Sequence, residues 1–226
     1  MTFIVSPGWR AAYPGAVVGV LAIRDVVNPP HHPALEARKE DLESQLRSRF
    51  AGQDRAALRA DLPALEAYHA YYKRFNSTYH VQHQLESIAW KGRSLPRVAA
   101  LVEAMFIAEL KNALLSAGHD LAAVEQPARL DVATGTERYV RLNGQEQQLK
   151  PGDMMITDAR AVISSVLYGP DYRTRITPDT TRVLFTVYAP PGISEQTVRG
   201  HLTDIQANVC LIAPATQVES MEVYSA

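Results

Sequence analysis

Two apolar runs late in the chain, Ala161–Tyr168 and Arg182–Ala189, are rich in Val, Ile, Leu, Phe and Tyr, and each is bounded by Gly, Pro or Asp. Short runs of that composition between breakers read as buried strands. Between them lies Gly169-Pro170-Asp171-Tyr172-Arg173-Thr174-Arg175-Ile176-Thr177-Pro178, which is polar, turn-rich and doubly basic. A polar loop fixed at both ends by core strands suits a binding loop. The same spacing also reads as an ordinary hairpin connection.

The rest of the chain arranges itself around this pair. Phe3–Val5 and Ala16–Ile23 read as strands, with turns at Ser6-Pro7-Gly8 and Tyr13-Pro14-Gly15. After the break at Asn28-Pro29-Pro30, helical spacing predicts a helix over Ala34–Phe50 with Leu35, Leu42, Leu46 and Phe50 on one face. Asp54 reads as the N-cap of a second helix that continues or restarts after Pro63 toward Tyr72. Further helices are predicted over His80–Trp90 and Arg97–Leu115, the latter stopping near Gly118. From Leu130 the period changes to alternation. Leu130–Ala133, Glu137–Leu142 and Met154–Thr157 are strand candidates, Ser194–Cys210 a last helix and Gln217–Tyr224 a last strand. Helices gather in the first half and strands in the second, so the class is α+β. We expect one domain over residues 1–226, with N-terminal strands in 1–30, a helical part in 33–118, and mostly sheet with one late helix in 125–226.

A chain of 226 residues, 46% hydrophobic and 21% charged, is large enough for one sizeable core. No apolar run approaches the roughly 20 residues that span a bilayer, and the first residues do not read as a secretory signal. A lone Cys210 rules out an internal disulfide and a Cys-based zinc site. These features point to the cytosol. A net charge of -1 argues for no particular partner, so a nucleic-acid binder would need a local basic face.

No nucleophile-elbow, Walker or dinucleotide motif is present. His80, His83 and Glu86 share one helix face, which reads as three metal donors without a fourth or as a polar helix face. No metal and no cofactor is expected. Tyr68–Arg97 holds Lys73, Arg74, Lys91, Arg93 and Arg97 against one acid, Glu86, with Tyr68, Tyr71, Tyr72, Tyr79 and Trp90 interleaved. That pattern suits a phosphate backbone with stacked bases, or else a solvated face with tyrosines packed beneath it.

From Tyr72 to Pro191 the chain resembles the B3/B4 domain, the editing module of the phenylalanyl-tRNA synthetase beta subunit, in its stand-alone form. The resemblance rests on Tyr72-Lys73-Arg74-Phe75, Ser94-Leu95-Pro96 leading into Leu101-Val102-Glu103, Gly118-His119-Asp120-Leu121, Gly135-Thr136-Glu137, Pro151-Gly152-Asp153, and Arg175-Ile176-Thr177 with Thr180-Thr181-Arg182-Val183-Leu184-Phe185. It implies an editing fold built on a mixed, largely antiparallel sheet. It also implies binding of the aminoacylated 3′ end of a tRNA, and hydrolysis of a wrongly attached amino acid. Some stand-alone relatives act in trans, one such activity clearing canavanine from arginine tRNA, and this sequence looks closest to that type.

Where the family usually shows an aspartate followed three residues later by asparagine, this chain has Glu103 and Phe106; where it usually shows a strand arginine, it has Asp131. Exchanging a cation for an anion favours a cationic ligand, and a guanidino-type group is held best by a carboxylate. Asp131, Glu103 and Phe106 are therefore the expected substrate-binding residues, Asp131 reading also as an exposed strand residue. An aminoacyl ester is already activated, so its hydrolysis needs a placed water and a stabilised oxyanion. Tyr79, His80 and Thr177 are the candidates for positioning that water, and His201 a candidate general base. Lys73, Arg74, Lys91, Arg93 and Arg175 would hold phosphates. A non-catalytic tRNA-binding module and a binder or enzyme of a free cationic amino acid remain the alternatives.

Overall fold

The structure is a computed structural model that describes residues 1–226. Strand β1 (Phe3–Val5) leads into the short helix α1 (Pro7–Ala12), where the sequence predicted only a turn. The Ser6 hydroxyl accepts from the Trp9 N–H at 2.9 Å and Pro7 opens the helix, so the turn signal was the helix start. Strand β2 (Val17–Arg24) is followed by five helices: α2 (Pro33–Arg49), α3 (Arg55–Asp61), α4 (Ala64–Lys73), α5 (His80–Lys91) and α6 (Ala100–Asn112). Asp54 caps α3 by accepting from the Ala57 N–H at 2.9 Å, and Gly92, at φ 63°, ends α5 in the left-handed region. Helix α6 stops three residues before the predicted Leu115 because Ala113 turns left-handed at φ 55°.

The remaining strands are β3 (Ser116–Asp120), β4 (Ala128–Val132), β5 (Arg138–Val140), β6 (Glu146–Gln148), β7 (Met154–Thr157), β8 (Val162–Ser165), β9 (Gly169–Pro170), β10 (Arg182–Ala189) and β11 (Gln217–Ser225), with helix α7 (Glu195–Ile212) before the last. They form a sheet in the order β11-β2-β10-β3, a second in the order β1-β4-β7-β8-β9, and the hairpin β5-β6. Every pairing is antiparallel except β1 with β4. The fold is thus α+β, with helices concentrated in the first half and a largely antiparallel sheet system.

Strands β2 and β10 are buried along nearly their whole length, as expected for strands covered on both faces. Helix α7 packs on β2 so closely that a Cβ at Gly19 would lie 2.6 Å from Val198 and 3.0 Å from Leu202, which makes glycine the residue that fits there. Between helices and sheets sits a group of tyrosines. Tyr68 donates to the Tyr188 carbonyl at 2.5 Å and accepts from the Leu115 N–H at 2.8 Å. Tyr71 donates to Asp153 Oδ1 at 2.6 Å and accepts from the Met154 N–H at 2.7 Å. Tyr72 donates to the Val166 carbonyl at 2.7 Å and Tyr79 to that of Ala113 at 3.1 Å. These four rings are buried. They fasten the helical lobe to the sheets and present no stacking surface to a base. No helix is long and apolar enough to cross a membrane.

Candidate functional site

The loop after β9 is held at both ends. Asp171 donates its N–H to Ile163 at 2.7 Å, and Tyr172 donates to Val140 at 2.8 Å. Tyr139 donates its hydroxyl to the Gly169 carbonyl at 2.7 Å. Inside the loop, Asp171 Oδ1 accepts from the Thr174 N–H at 3.1 Å and from the Thr174 hydroxyl. That hydroxyl's own proton goes to Asp171, so it accepts from His119 Nδ1 at 2.8 Å. His119 is therefore the neutral Nδ1–H tautomer. Burial, the largest influence, pushes its pKa down to about 3. Its Nε2 is buried without a protein partner.

On the outer side of this loop lies a groove of about 580 Å³ lined by Tyr139, Arg160, Asp171, Tyr172, Arg173 and Arg175, among others. The Arg175 guanidinium lies 3.7 Å from the Tyr172 ring centroid and donates to the Tyr172 carbonyl at 2.7 Å, a cation–π stack that fixes both side chains. Tyr172 stays exposed. Arg173 is engaged elsewhere: it donates to the Ala123 carbonyl at 2.8 Å and to Asp158 Oδ2 at 2.7 Å. Asp158 also accepts the N–H groups of Glu125, Arg160 and Ala161. Burial pushes its carboxyl up, but these donors outweigh it and the pKa is lowered. The groove thus offers an exposed aromatic ring beside Arg175, which has no carboxylate partner, and Arg160, loosely paired with Glu125 at 3.5 Å. Asp171 is the one acid in its wall.

The expected site residues fall in several places. Glu103 is buried on α6, accepting the Val98 N–H at 2.9 Å and lying 2.9 Å from Lys39 Nζ of α2. Lys39 is itself 2.5 Å from Glu36. Asp131 on β4 accepts from the Ser6 hydroxyl at 2.7 Å, its own Val132 N–H at 2.9 Å and Arg129 Nε at 3.0 Å. Both carboxylates are occupied and they share no partner. Glu103 locks two helices together and Asp131 orients the cap of α1, so neither carboxylate is left open to a cationic side chain. Phe106 packs half-buried against the core.

The four candidates for the water step are not brought together either. Tyr79 is buried in the tyrosine group. His80 is exposed on α5, its ring edge-on to Tyr79 at 5.8 Å. Thr177 ends the loop, with its hydroxyl 3.5 Å from that of Thr180. His201 on α7 is buried, with Nε2 2.7 Å from the Ser116 hydroxyl and Nδ1 3.1 Å from the Asn112 amide nitrogen. The amide nitrogen also donates to Asp204 at 2.8 Å, so Nδ1 is an acceptor and Nε2 carries the proton toward Ser116. That tautomer cannot take a proton from Ser116, and burial pushes the His201 pKa down to about 4.

Of the cations, Lys73, Lys91 and Arg93 are exposed. Arg74 lies over the rings of Tyr13 and Phe75 at 5.1 and 5.6 Å. None of these four, nor Arg175, forms an ion pair with a carboxylate. Glu86, offered with His80 and His83 as a metal donor, is buried and takes a bidentate pair from Arg55 at 2.6 and 2.7 Å. No set of three His, Cys, Asp or Glu side chains is placed to hold a metal. Sequence reasoning missed Tyr139, Arg160 and Asp171. The turn signals that delimit their strands were readable, but the pairing of β5 with the 169–178 loop that joins them is long-range.

The B3/4 domain family model matches residues 66–206. Among solved structures, an N-terminal fragment of the phenylalanyl-tRNA synthetase beta-subunit from Pyrococcus horikoshii superposes with a TM-score of 0.50 and 12% identity, over 100% of this chain and 54% of that one. This chain therefore spans about half the length of that fragment, and at such identity the likeness is one of fold. No curated protein matches.

Proposed function

The chain belongs to the B3/4 domain family, and from that premise we propose that it is a trans-editing deacylase. It takes the 3′ end of a mischarged tRNA and hydrolyses the aminoacyl ester, with canavanyl-tRNA(Arg) as the substrate, and it works in the cytoplasm where such tRNAs arise. The observation that carries this reading is the groove at the 171–175 loop. Tyr172 offers a ring for a terminal base to stack on, and Arg175, without a carboxylate partner, and Arg160, loosely paired with Glu125, offer guanidinium groups to the adjoining phosphates. Asp171 is the one carboxylate in the same wall, with Oδ1 on Thr174 and Oδ2 3.8 Å from Arg173.

An ester needs no protein nucleophile. The attacking water is held by loop polar groups, among which Thr177 lies on the same loop as Arg175, and the neighbouring hydroxyl of the terminal ribose assists.

A second reading has an observation in its favour. The dispersal of Tyr79, His80, Thr177 and His201 suits a tRNA-binding module without chemistry. A binder of a free cationic amino acid would leave the basic side chains around the groove idle. The test is a panel of aminoacyl-tRNAs, including arginine tRNA charged with arginine and with canavanine, scored for amino-acid release. Release of canavanine in preference to arginine supports the deacylase. Binding of tRNA with release of neither supports the module, and saturable binding of free canavanine with indifference to tRNA supports the third reading.

A further inference from the structure

Two grooves flank α5 and share His83. The first, about 230 Å³, is lined by Arg55, Arg59, His69, Lys73, Gln82 and His83, together with the loop that enters the helix. The second, about 340 Å³, runs past His80 and His83 to Arg93. No carboxylate lines either one. Glu86 has both oxygens on Arg55 and one also taken by Gln82, and it lies 3.7 Å from His83 Nδ1. Arg55 is thereby neutralised, while Arg59, Lys73 and Arg93 form no ion pair. Arg59 Nη2 lies 3.0 Å from His69 Nδ1. Guanidinium can only donate, so His69 accepts there and its Nε2 is left as a donor. Arg59 Nε is buried without a partner. Helix α5 starts at His80 with no side-chain cap on its first turn.

We propose that α5 carries a phosphodiester track: RNA backbone away from the acceptor end crosses from Arg59 and Lys73, over His83, to Arg93. The donors are spread across two adjoining grooves instead of converging on one centre, which matches a chain of phosphates better than one anion. No exposed tyrosine accompanies them, so the contact reads backbone and carries no base preference. The inference rests on the proposed tRNA-binding reading, and it adds Arg59, His69 and His83 to the residues expected from the sequence.

The test is the affinity of labelled, uncharged tRNA between 50 and 300 mM KCl for the wild type, for Arg59→Gln/Arg93→Gln, and for Arg93→Glu alone, which alters one exposed side chain and leaves the fold intact. The track predicts a loss of about tenfold or more at low salt for the double variant. It also predicts a slope of log affinity against log salt shallower by about 1.4–1.8, since each of the two phosphate contacts removed contributes roughly 0.7–0.9. Unchanged affinity and slope in both variants overturn it. So does displacement of tRNA by submillimolar inorganic phosphate at matched ionic strength, which would mark a single-anion site. A wild type that binds tRNA with this slope yet releases no amino acid sinks the deacylase and leaves the track. A wild type that releases amino acid while the double variant keeps full tRNA affinity sinks the track and leaves the deacylase.

Discussion

Glu109 is fully buried on α6 and accepts the Ser116 N–H at 2.6 Å; burial lifts its pKa to about 8. The folded state therefore keeps a proton that the unfolded chain gives up near pH 4.5. Stability falls as pH rises through that window and levels off above about 8. Asp153, lifted to about 6 by burial despite the Tyr71 bond, acts in the same direction over a lower range. His119 and His201, held neutral by burial, act oppositely, costing stability as pH drops below the ordinary histidine range. Glu109→Gln keeps the Ser116 bond and removes the titration. Its unfolding free energy should match the wild type near pH 4.5 and exceed it by on the order of 4 kcal/mol at pH 8; a constant difference across that range would refute the assignment. Tyr68→Phe strands the Leu115 N–H and the Tyr188 carbonyl in the core, and should lower stability by about 2–4 kcal/mol in urea titrations. At this scale the sequence was legible in charge and poorly legible in partner. Asp131 and Glu103 stood out as departures from the pattern of the resembled family, but their partners, Ser6 and Lys39, lie far off in the chain.

Lys39 links α2 to α6. Burial opposes its charge most strongly, yet Glu36 and Glu103 outweigh that and raise its pKa. Lys39→Met leaves Glu103 buried beside no cation and should cost about 3–5 kcal/mol, while adding Glu103→Leu should recover most of the loss in a double-mutant cycle. Helices were read well where an apolar stripe meets a start or stop signal, as at Pro33 for α2, Asp54 for α3 and Gly92 for α5. Strands β7 and β10 were read to the residue because their apolar runs end in sharp breakers. Strand β3 was missed: Ser116-Ala-Gly-His-Asp has no β-branched residue, and it becomes a strand only by pairing with β10. The 169–178 loop was visible as polar and basic, but the Tyr172–Arg175 stack depends on a local geometry no spacing rule supplies.

Across the molecule, a net charge near zero conceals an uneven distribution. Arg55, Arg173 and Arg182 are committed to carboxylates, whereas Lys73, Arg74, Lys91, Arg93 and Arg175 are not. A polyanion therefore meets cations chiefly on the α4–α5 side and at the 171–175 loop, and binding should weaken steeply with salt. The most direct test of the account is the rate of canavanine release from canavanyl-tRNA(Arg) by the wild type and by Tyr172→Ala. If a terminal base stacks on Tyr172, kcat/KM should fall by about tenfold or more, the worth of one base–aromatic stack, while the melting temperature stays within a few degrees. Equal kcat/KM for the two proteins would contradict the assignment of that groove to the acceptor end.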